Sequence, residues 1–167
     1  MNKIDICTTA LNNIKPNYDV IVTNKKALSY PSRTTTIEEV TERNLIERLK
    51  KANEHGWISG CGLAAIQIGI PVRFAWFKWG EENFTLLNPE IIEYKGKFKP
   101  VEEGCMSIPK KKVMIKRYYK IKYLNNGVEE TAKGLKANII QHEIDHMNGI
   151  LNIDNADSIH DHLLRKM

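Results

Sequence analysis

The stretch Gln141-His142-Glu143-Ile144-Asp145-His146 contains the pattern His-Glu-x-x-His. On a helix, residues four apart lie one turn apart on the same face, so His142 and His146 can bind one divalent metal ion. Glu143 lies between the two histidines in the sequence, so its carboxylate can reach a metal-bound water and accept a proton from it. The pattern therefore predicts a helical metal site for hydrolysis, without identifying the bond that is hydrolysed.

The third metal ligand distinguishes the enzyme classes that share this pattern. A metzincin protease would have a histidine where this chain has Asn152, and no glutamate follows Glu143 to act as a downstream ligand. Five side chains near the carboxyl end remain formally available: Asp154, Asp157, His160, Asp161 and His162. The best candidate lies upstream at Cys105, because a thiolate and two imidazoles suit Zn²⁺ or Fe²⁺ with one open position.

Two further motifs accompany the histidine pair. Gly60-Cys61-Gly62-Leu63-Ala64-Ala65-Ile66-Gln67 is a glycine-rich loop, and Glu103-Gly104-Cys105-Met106-Ser107 surrounds the candidate ligand. Within residues 60–149, the three motifs resemble, in order, the signatures of the peptide deformylase family, which removes the formyl group from the N-terminal methionine of new polypeptides. One His-Glu-x-x-His pattern is a moderate signal, and the three motifs together are a strong one.

The resemblance implies a reaction scheme. The ion, natively Fe²⁺ with Zn²⁺, Ni²⁺ or Co²⁺ able to substitute, lowers the pKa of its bound water toward ~7, and the hydroxide attacks the formyl carbon. Glu143 passes the proton to the leaving amine. The family assigns the oxyanion to the side-chain amide of Gln67 and the backbone N–H of Met106.

Substrate contacts are expected around the same motifs. Glycines permit close approach of a peptide backbone, which could pair with these segments as an added strand. The glycines in question are Gly60, Gly62 and Gly104. The family holds methionine in an apolar pocket beside the metal helix, and the lining candidates in this chain are Cys61, Met106 and Ile139.

A supporting ion pair is also predicted. Arg117 interrupts an otherwise apolar strand face, and Asp145 directly precedes His146. The face is predicted to consist of Val113, Ile115, Tyr119, Ile121 and Tyr123. Metal-bound histidines usually donate their second ring N–H to a carboxylate or carbonyl. We predict that Arg117 pairs with Asp145 and helps orient the metal helix.

Composition fits a single globular domain over residues 1–167. Net charge is +5 and hydrophobic residues make up 42% of the chain. Three cysteines with no disulfide-framework spacing indicate a reducing compartment, and no signal peptide or membrane span is recognisable. A cytoplasmic monomer is expected, in a bacterium or, if the chain is phage-encoded, in an infected host.

A basic stretch bears on possible partners. Residues 95–122 hold ten Lys or Arg against two Glu. The simpler interpretation is that these basic side chains lie on a solvated strand face. The more specific interpretation is that they make a weak electrostatic contact with ribosomal RNA. The sequence has no interleaved base-stacking motif, and no DNA partner is expected.

Many bacterial deformylases contact the ribosome through a longer C-terminal helix, whereas this chain ends 21 residues after His146. Ribosome binding is therefore expected to be weak.

The predicted fold is α+β, with mixed or antiparallel sheets around the central metal helix and one N-terminal helix. Helical spacing begins at the Thr36 cap and ends near Gly56. Strands are predicted over 19–23, 71–79, 84–87, 91–98, 112–124 and 128–130, with Asn125-Asn126-Gly127 as a turn. The metal helix is predicted over 135–147, with Gly149 as its stop.

Two other functions remain open. The first is a His-Glu-x-x-His endoprotease, which the missing downstream ligand disfavours. The second is a catalytically inactive, ribosome-associated metal-binding module, which the presence of Glu143 and Gln67 disfavours because neither is needed to hold a metal.

Overall fold

The architecture consists of short helices at the amino-terminal side, six strands, and one longer helix that follows them. The computed structural model describes residues 17–56 and 60–154. Its elements are α1 (Lys25–Leu28), α2 (Ile37–Glu42), α3 (Leu45–Glu54), β1 (Gly62–Ala64), a 3-10 helix (Ala65–Ile68), β2 (Phe74–Trp79), β3 (Glu82–Leu87), β4 (Glu90–Cys105), β5 (Ile108–Asn125), β6 (Val128–Lys133) and α4 (Leu135–Met147). His160, His162 and the rest of the carboxyl-terminal stretch lie outside the described residues.

The strands form two three-stranded sheets, ordered β1-β2-β3 and β4-β5-β6. Every pairing between these strands is antiparallel. Helix α4 contacts β1 and β2 of one sheet and β5 and β6 of the other. The α+β prediction, with sheets around the metal helix, is confirmed.

Two apolar clusters hold the sheets and helices together. One packs the buried face of α4, including Ile140 and Ile144, against Phe77 and Ile121 of the two sheets. The other packs Leu49 of α3 against residues around β1 and β2, and it includes Met106. Because Met106 follows Cys105 directly, the second cluster helps to fix the β4–β5 turn.

The predicted N-terminal helix is interrupted. Thr36 caps α2 as expected, its hydroxyl accepting a hydrogen bond from the Glu39 N–H at 3.2 Å. The helix then ends, because Asn44 adopts the left-handed conformation with φ 50° and ψ 41°. Val40 and Leu45 are five residues apart, a spacing that leaves the helical repeat, so the prediction of one continuous helix is wrong at this point.

Several strand predictions need correction. Residues 19–23 are not in a strand, although the Val22 N–H donates to the Gln67 carbonyl at 2.8 Å. Tyr119, predicted to face the core with its alternate neighbours, is 51% exposed, and Tyr118 packs against the core instead. The Asn126-Gly127 turn is present, with positive φ at both residues, as a two-residue hairpin of this handedness requires.

Among the described residues, no helix is long and apolar enough to cross a lipid bilayer.

Candidate metal centre

Three predicted ligands converge. The ligand atoms of Cys105, His142 and His146 all lie within 4.8 Å of one another. The Cys105 Sγ is 3.4 Å from His146 Nε2, and the two histidine Nε2 atoms are 3.1 Å apart. A tetrahedral ion with bonds of roughly 2.0–2.1 Å to nitrogen and 2.3 Å to sulfur would hold such atoms roughly 3.4–3.6 Å apart. The donor set and its spacing therefore fit one divalent ion.

Secondary structure brings these ligands together. Cys105 is the last residue of β4 and precedes a tight turn into β5. His142 and His146 lie one turn apart on α4, with ring centroids 4.7 Å apart. The Cys105 and His146 side chains are buried, at 3% and 1% exposure, so neither needs to lose much hydrating water on binding a metal.

His142 is oriented by Glu103. Its Nδ1 lies 2.9 Å from Glu103 Oε2, an arrangement that directs Nε2 to the ligand cluster. Burial raises the pKa of Glu103, but the hydrogen bonds from His142 and Arg117 outweigh burial and lower it to about 2. Glu103 is therefore an anion that fixes one histidine tautomer.

The two histidines differ electrostatically. Burial, together with the nearby charges of His142 and Arg117, holds the pKa of His146 well below its ordinary value. Burial acts in the same direction on His142, but Cys105 and Glu103 outweigh it and raise the pKa of that ring. Since a ligating imidazole gives up its Nε2 proton, metal binding here is coupled to proton release.

Arg117 connects the sheet to the metal helix. Its guanidinium donates to Glu103 at 2.7 and 3.0 Å and to Asp145 at 2.6 Å. The Arg117 side chain is only 6% exposed. The contact predicted between Arg117 and Asp145 is present, and Arg117 also reaches His142 indirectly, through Glu103.

Glu143 is a buried carboxyl group beside the ligands. Its side chain is 3% exposed, and Oε2 has no hydrogen-bond partner among the described residues. Burial raises the pKa of Glu143 to about 7, although the positive charges of His142 and Arg117 oppose that shift. A carboxyl group with such a pKa can both accept and release a proton near neutral pH.

Gln67 is fixed on the other side of the cluster. Its Oε1 accepts from the Ala64 N–H at 3.0 Å, and its Nε2 donates to Ser107 Oγ at 3.1 Å. The same Nε2 lies 3.7 Å from Cys105 Sγ. The side-chain amide is therefore held as a donor next to a metal ligand.

A cavity of about 430 Å³ opens onto this group. It is lined by all six predicted substrate-contact residues and by most of the predicted catalytic and metal-binding residues: Gly60, Cys61, Gly62, Gln67, Gly104, Cys105, Met106, Ile139, His142 and Glu143. His146 is not part of the lining and lies behind it. A Cβ added at Gly62 would be 2.5 Å from Phe77 Cβ, whereas one at Gly104 would meet nothing within 4 Å. Gly62 is therefore required by packing, and Gly104 leaves space at the cavity wall.

Sequence reasoning missed two contacts of the site. The motif around Cys105 includes Glu103 and Ser107, but it predicts neither the contact of Glu103 with His142 nor that of Ser107 with Gln67. A signal existed for Glu103, because residues two apart on a strand share a face and Glu103 precedes Cys105 by two. The Ser107 contact depends on the approach of a loop 40 residues away, for which the sequence holds no local signal.

A thiolate, two imidazoles, a buried carboxyl group and a fixed amide donor beside an open cavity define the site of a metal-dependent hydrolase. The sequence model for polypeptide deformylase matches residues 17–162. A peptide deformylase of Thermotoga maritima is 36% identical over 154 residues, covering 89% of this chain and 93% of that protein. The chain belongs to the polypeptide deformylase family.

Solved structures agree with this assignment. The Thermotoga maritima deformylase superposes with a TM-score of 0.74 at 36% identity, covering 84% of this chain and 98% of that one. A Synechococcus elongatus deformylase in complex with actinonin gives 0.74 at 30% identity, covering 85% and 80%. A Met-Ala-Ser-bound deformylase from Acinetobacter baumannii gives 0.72 at 25% identity, covering 85% and 99%. The predicted resemblance is confirmed, and with it the enzyme class; the relatives named here are deformylases, which argues against the protease alternative.

Proposed function

We propose that this deformylase hydrolyses the formyl group of N-formyl-methionyl polypeptides with one divalent ion held by Cys105, His142 and His146. Fe²⁺ is the proposed native metal, and Zn²⁺, Ni²⁺ or Co²⁺ can substitute in a site of one thiolate and two imidazoles. When bound, such an ion acidifies a coordinated water and polarises the formyl oxygen. The observation that carries the proposal is the convergence of the three ligand atoms within 4.8 Å at the cavity wall.

The residues around the ligands have separate tasks. Glu143 accepts a proton from the attacking water and delivers it to the amine that leaves, a role suited to its buried position and raised pKa. Gln67 Nε2 and the Met106 backbone N–H donate to the oxyanion that develops on the formyl oxygen. Glu103, Arg117 and Asp145 keep the metal helix in position.

The substrate is proposed to bind as an extended strand between the two sheets. Within the described residues, β1 pairs only with β2 and β4 only with β5, so each has an edge without a strand partner. Residues of both strands line the cavity. An extended peptide can use such edges for main-chain hydrogen bonds. The Acinetobacter relative with bound Met-Ala-Ser supports a peptide of this type as the ligand.

Methionine is proposed to occupy the apolar part of the cavity. Cys61, Met106 and Ile139 supply apolar atoms there, and Gly60, Gly62 and Gly104 flank it without side chains. A Cβ added at Gly60 would lie 2.8 Å from Met106 Sδ, so a larger residue there would displace the Met106 side chain. The glycine at position 60 thus preserves the shape of the proposed pocket.

The wider setting is proposed as well. Residues 1–167 form one domain that acts as a cytoplasmic monomer, and any contact with ribosomes is weak and electrostatic.

The test is turnover by protein prepared anaerobically with Fe²⁺. Formyl-Met-Ala-Ser should release formate, whereas acetyl-Met-Ala-Ser and a peptide with only internal amide bonds should stay intact. Cleavage of the internal bonds would replace the proposal with a protease. A metal-loaded protein that leaves all three peptides intact would favour the inactive module.

A further inference from the structure

Gln141 is a buried polar residue to which the proposed reaction gives no task. It lies on α4 directly before His142 and is only 5% exposed. Its side-chain Oε1 accepts a hydrogen bond from the Tyr118 N–H at 3.2 Å, and its Nε2 donates to the Tyr118 carbonyl at 2.9 Å. One side-chain amide therefore pairs with both main-chain polar groups of a β5 residue.

The orientation of this amide is fixed. Its Nε2 also donates to the carbonyl of Ala137, one turn earlier on α4, at 3.0 Å. A side-chain amide has two N–H donors and one carbonyl acceptor, and all three groups of Gln141 are in use. Exchanging the amide O and N atoms would place an oxygen against two carbonyl oxygens, so only one orientation satisfies the hydrogen bonds.

A second attachment between β5 and α4 lies one helical turn away. Asp145 follows Gln141 by four residues and accepts a hydrogen bond at 2.6 Å from Arg117, the residue before Tyr118 on β5. Residues four apart lie on the same face of a helix. Consecutive residues of β5 therefore hold consecutive turns of α4.

The rotation of α4 about its own axis determines where the proposed ligands point. Gln141 directly precedes His142, and Asp145 directly precedes His146. Side-chain atoms lie roughly 5–6 Å from a helix axis, so a rotation of about 20° would move them by roughly 2 Å. Such a displacement is about as long as the bond between a metal ion and an imidazole nitrogen. A small rotation is therefore enough to misplace both ligand atoms.

We propose that Gln141 is a positioning residue for the metal centre. Its pairing with Tyr118 fixes the rotation of α4 and so directs His142 and His146 toward the third proposed ligand. The inference rests on the ligand set of the proposed function. An amide with a purely structural role would stabilise the fold without changing the arrangement of the ligand atoms.

Asn125 offers a matched control. Its Oδ1 accepts from the Leu87 N–H at 2.9 Å, and its Nδ2 donates to the Thr85 carbonyl at 3.0 Å. This amide joins β5 to β3, and none of these three residues lies on α4 or next to a proposed ligand in the sequence. Gln141→Met and Asn125→Leu each replace an amide by an apolar group of similar shape.

The test is the binding of Co²⁺, whose visible absorption depends on the number and geometry of its ligands. Gln141→Met should bind Co²⁺ at least about tenfold more weakly than wild type in competition with a chelator, and its visible bands should change in position or intensity. Asn125→Leu should keep the wild-type affinity and spectrum. Urea unfolding of the metal-free proteins should show a loss of stability in both variants, so stability alone would not explain the difference.

Wild-type affinity and spectrum in Gln141→Met, or equal losses of affinity in the two variants, would overturn the proposal. If Gln141→Met does not fold, Gln141→Asn takes its place. Its amide is one methylene shorter and cannot make both bonds to Tyr118 unless α4 moves, so it should also bind Co²⁺ more weakly, and unchanged binding would equally overturn the proposal. A wild-type protein without thiolate-to-Co²⁺ absorption would instead overturn the proposed ligand set, and this inference with it.

Discussion

Arg117 is a buried cation held between two carboxylates of different elements. It joins Glu103 of β4 to Asp145 of α4, and Glu103 in turn holds His142. Breaking a buried ion pair leaves an uncompensated charge and is strongly destabilising. The planar guanidinium matters as well as its charge, because it reaches both carboxylates with separate N–H groups.

Arg117→Lys should lower metal affinity by about 10–100-fold, because the ammonium cannot donate to both carboxylates with the same geometry and the His142 ring loses its fixed orientation. The measurement is a competitive metal titration with a chelator. Arg33→Lys is the matched control: Arg33 also makes two bonds to a glutamate, but on the surface. An unchanged affinity in Arg117→Lys would show that the ion pair does not act through the ligands.

Cys105→Ala should abolish stoichiometric metal binding, since two imidazoles alone leave the ion without its thiolate. Metal content after gel filtration is the measurement. Cys61→Ala is the matched control, because Cys61 lines the same cavity and is not in the ligand cluster. Metal retained at full affinity in Cys105→Ala would mean that the ligand assignment is wrong.

Glu143→Ala should keep the metal and lose formyl-peptide turnover by several orders of magnitude, because the proton-transfer group and its geometry are removed together. Glu143→Gln preserves side-chain volume and should be similarly inactive. Steady-state kinetics and metal analysis on the same samples give the result. A fall of less than ~10-fold, or about 1.4 kcal/mol, would exclude the proposed role.

At this scale the sequence predicted the convergence of Cys105, His142 and His146, which the structure shows, and their roles as ligands stay a prediction. Helical spacing alone places His142 beside His146, and the motif around Cys105 supplied the third ligand. Arg117 was identifiable as a charge on an apolar strand face. What could not be predicted was the sharing of Arg117 between two acids, because Glu103 and Asp145 lie in different elements and meet only when β4 packs near α4.

Helix α2 ends and α3 begins around Asn44. Left-handed backbone costs most residues roughly 1–2 kcal/mol, and Asn tolerates it better than Ala. The break lets Leu45 and Leu49 turn into the second apolar cluster while Val40 remains buried. The element boundary therefore depends on one residue.

Asn44→Ala should lower the free energy of unfolding by about 1 kcal/mol, and Asn44→Gly should change it little, because glycine adopts the left-handed conformation without a Cβ penalty. Urea unfolding followed by circular dichroism measures both. Lys51→Ala, at an exposed position inside α3, serves as the control for a substitution in regular helix. Equal stability of the Ala and Gly variants would argue against strain at position 44.

Strand ends were harder to predict than strand existence. Strand β4 runs from Glu90 to Cys105, well past the predicted end at Phe98. Gly96 and Pro100 both lie inside this strand. Pro100 is tolerated because β4 lies at the edge of its sheet, and Gly96 falls within an irregularity of register. Conversely, residues 19–23 have strand-like composition but pair with none of the strands in the part of the chain that the structure describes.

Residues 29–32, in the amino-terminal part of the chain, contact the carboxyl end of α4. The Ser32 N–H donates to the Met147 carbonyl at 2.8 Å. Gly149, which ends α4 as predicted, has φ +74°, and a Cβ there would lie 2.4 Å from the Ser29 carbonyl oxygen. The sequence predicted that Gly149 ends the helix. It could not predict the contact with Ser29, because residues more than 100 positions apart share no local sequence pattern.

Gly149→Ala should therefore destabilise the whole molecule by more than about 3 kcal/mol, since backbone strain and a clash with main-chain atoms combine. A fall of roughly 6–12 °C in the melting temperature is expected for a chain of this size. Gly80→Ala is the matched control: its φ is also positive, at +60°, but nothing lies within 4 Å of the added Cβ. Similar losses in both variants would mean that strain alone, without the clash, explains the effect.

The position of α4 in the chain has a consequence for biosynthesis. This helix carries two of the three proposed ligands, a large share of the core and the carbonyl that holds residue 32, yet it follows every described strand in the order of translation. A nascent chain in which α4 has not yet emerged carries Cys105 without His142 and His146, and lacks the helix that contacts both sheets. Folding must proceed through these long-range contacts late, which slows it relative to a locally connected fold. The maturing protein is therefore most vulnerable to oxidation and aggregation in the interval before α4 emerges.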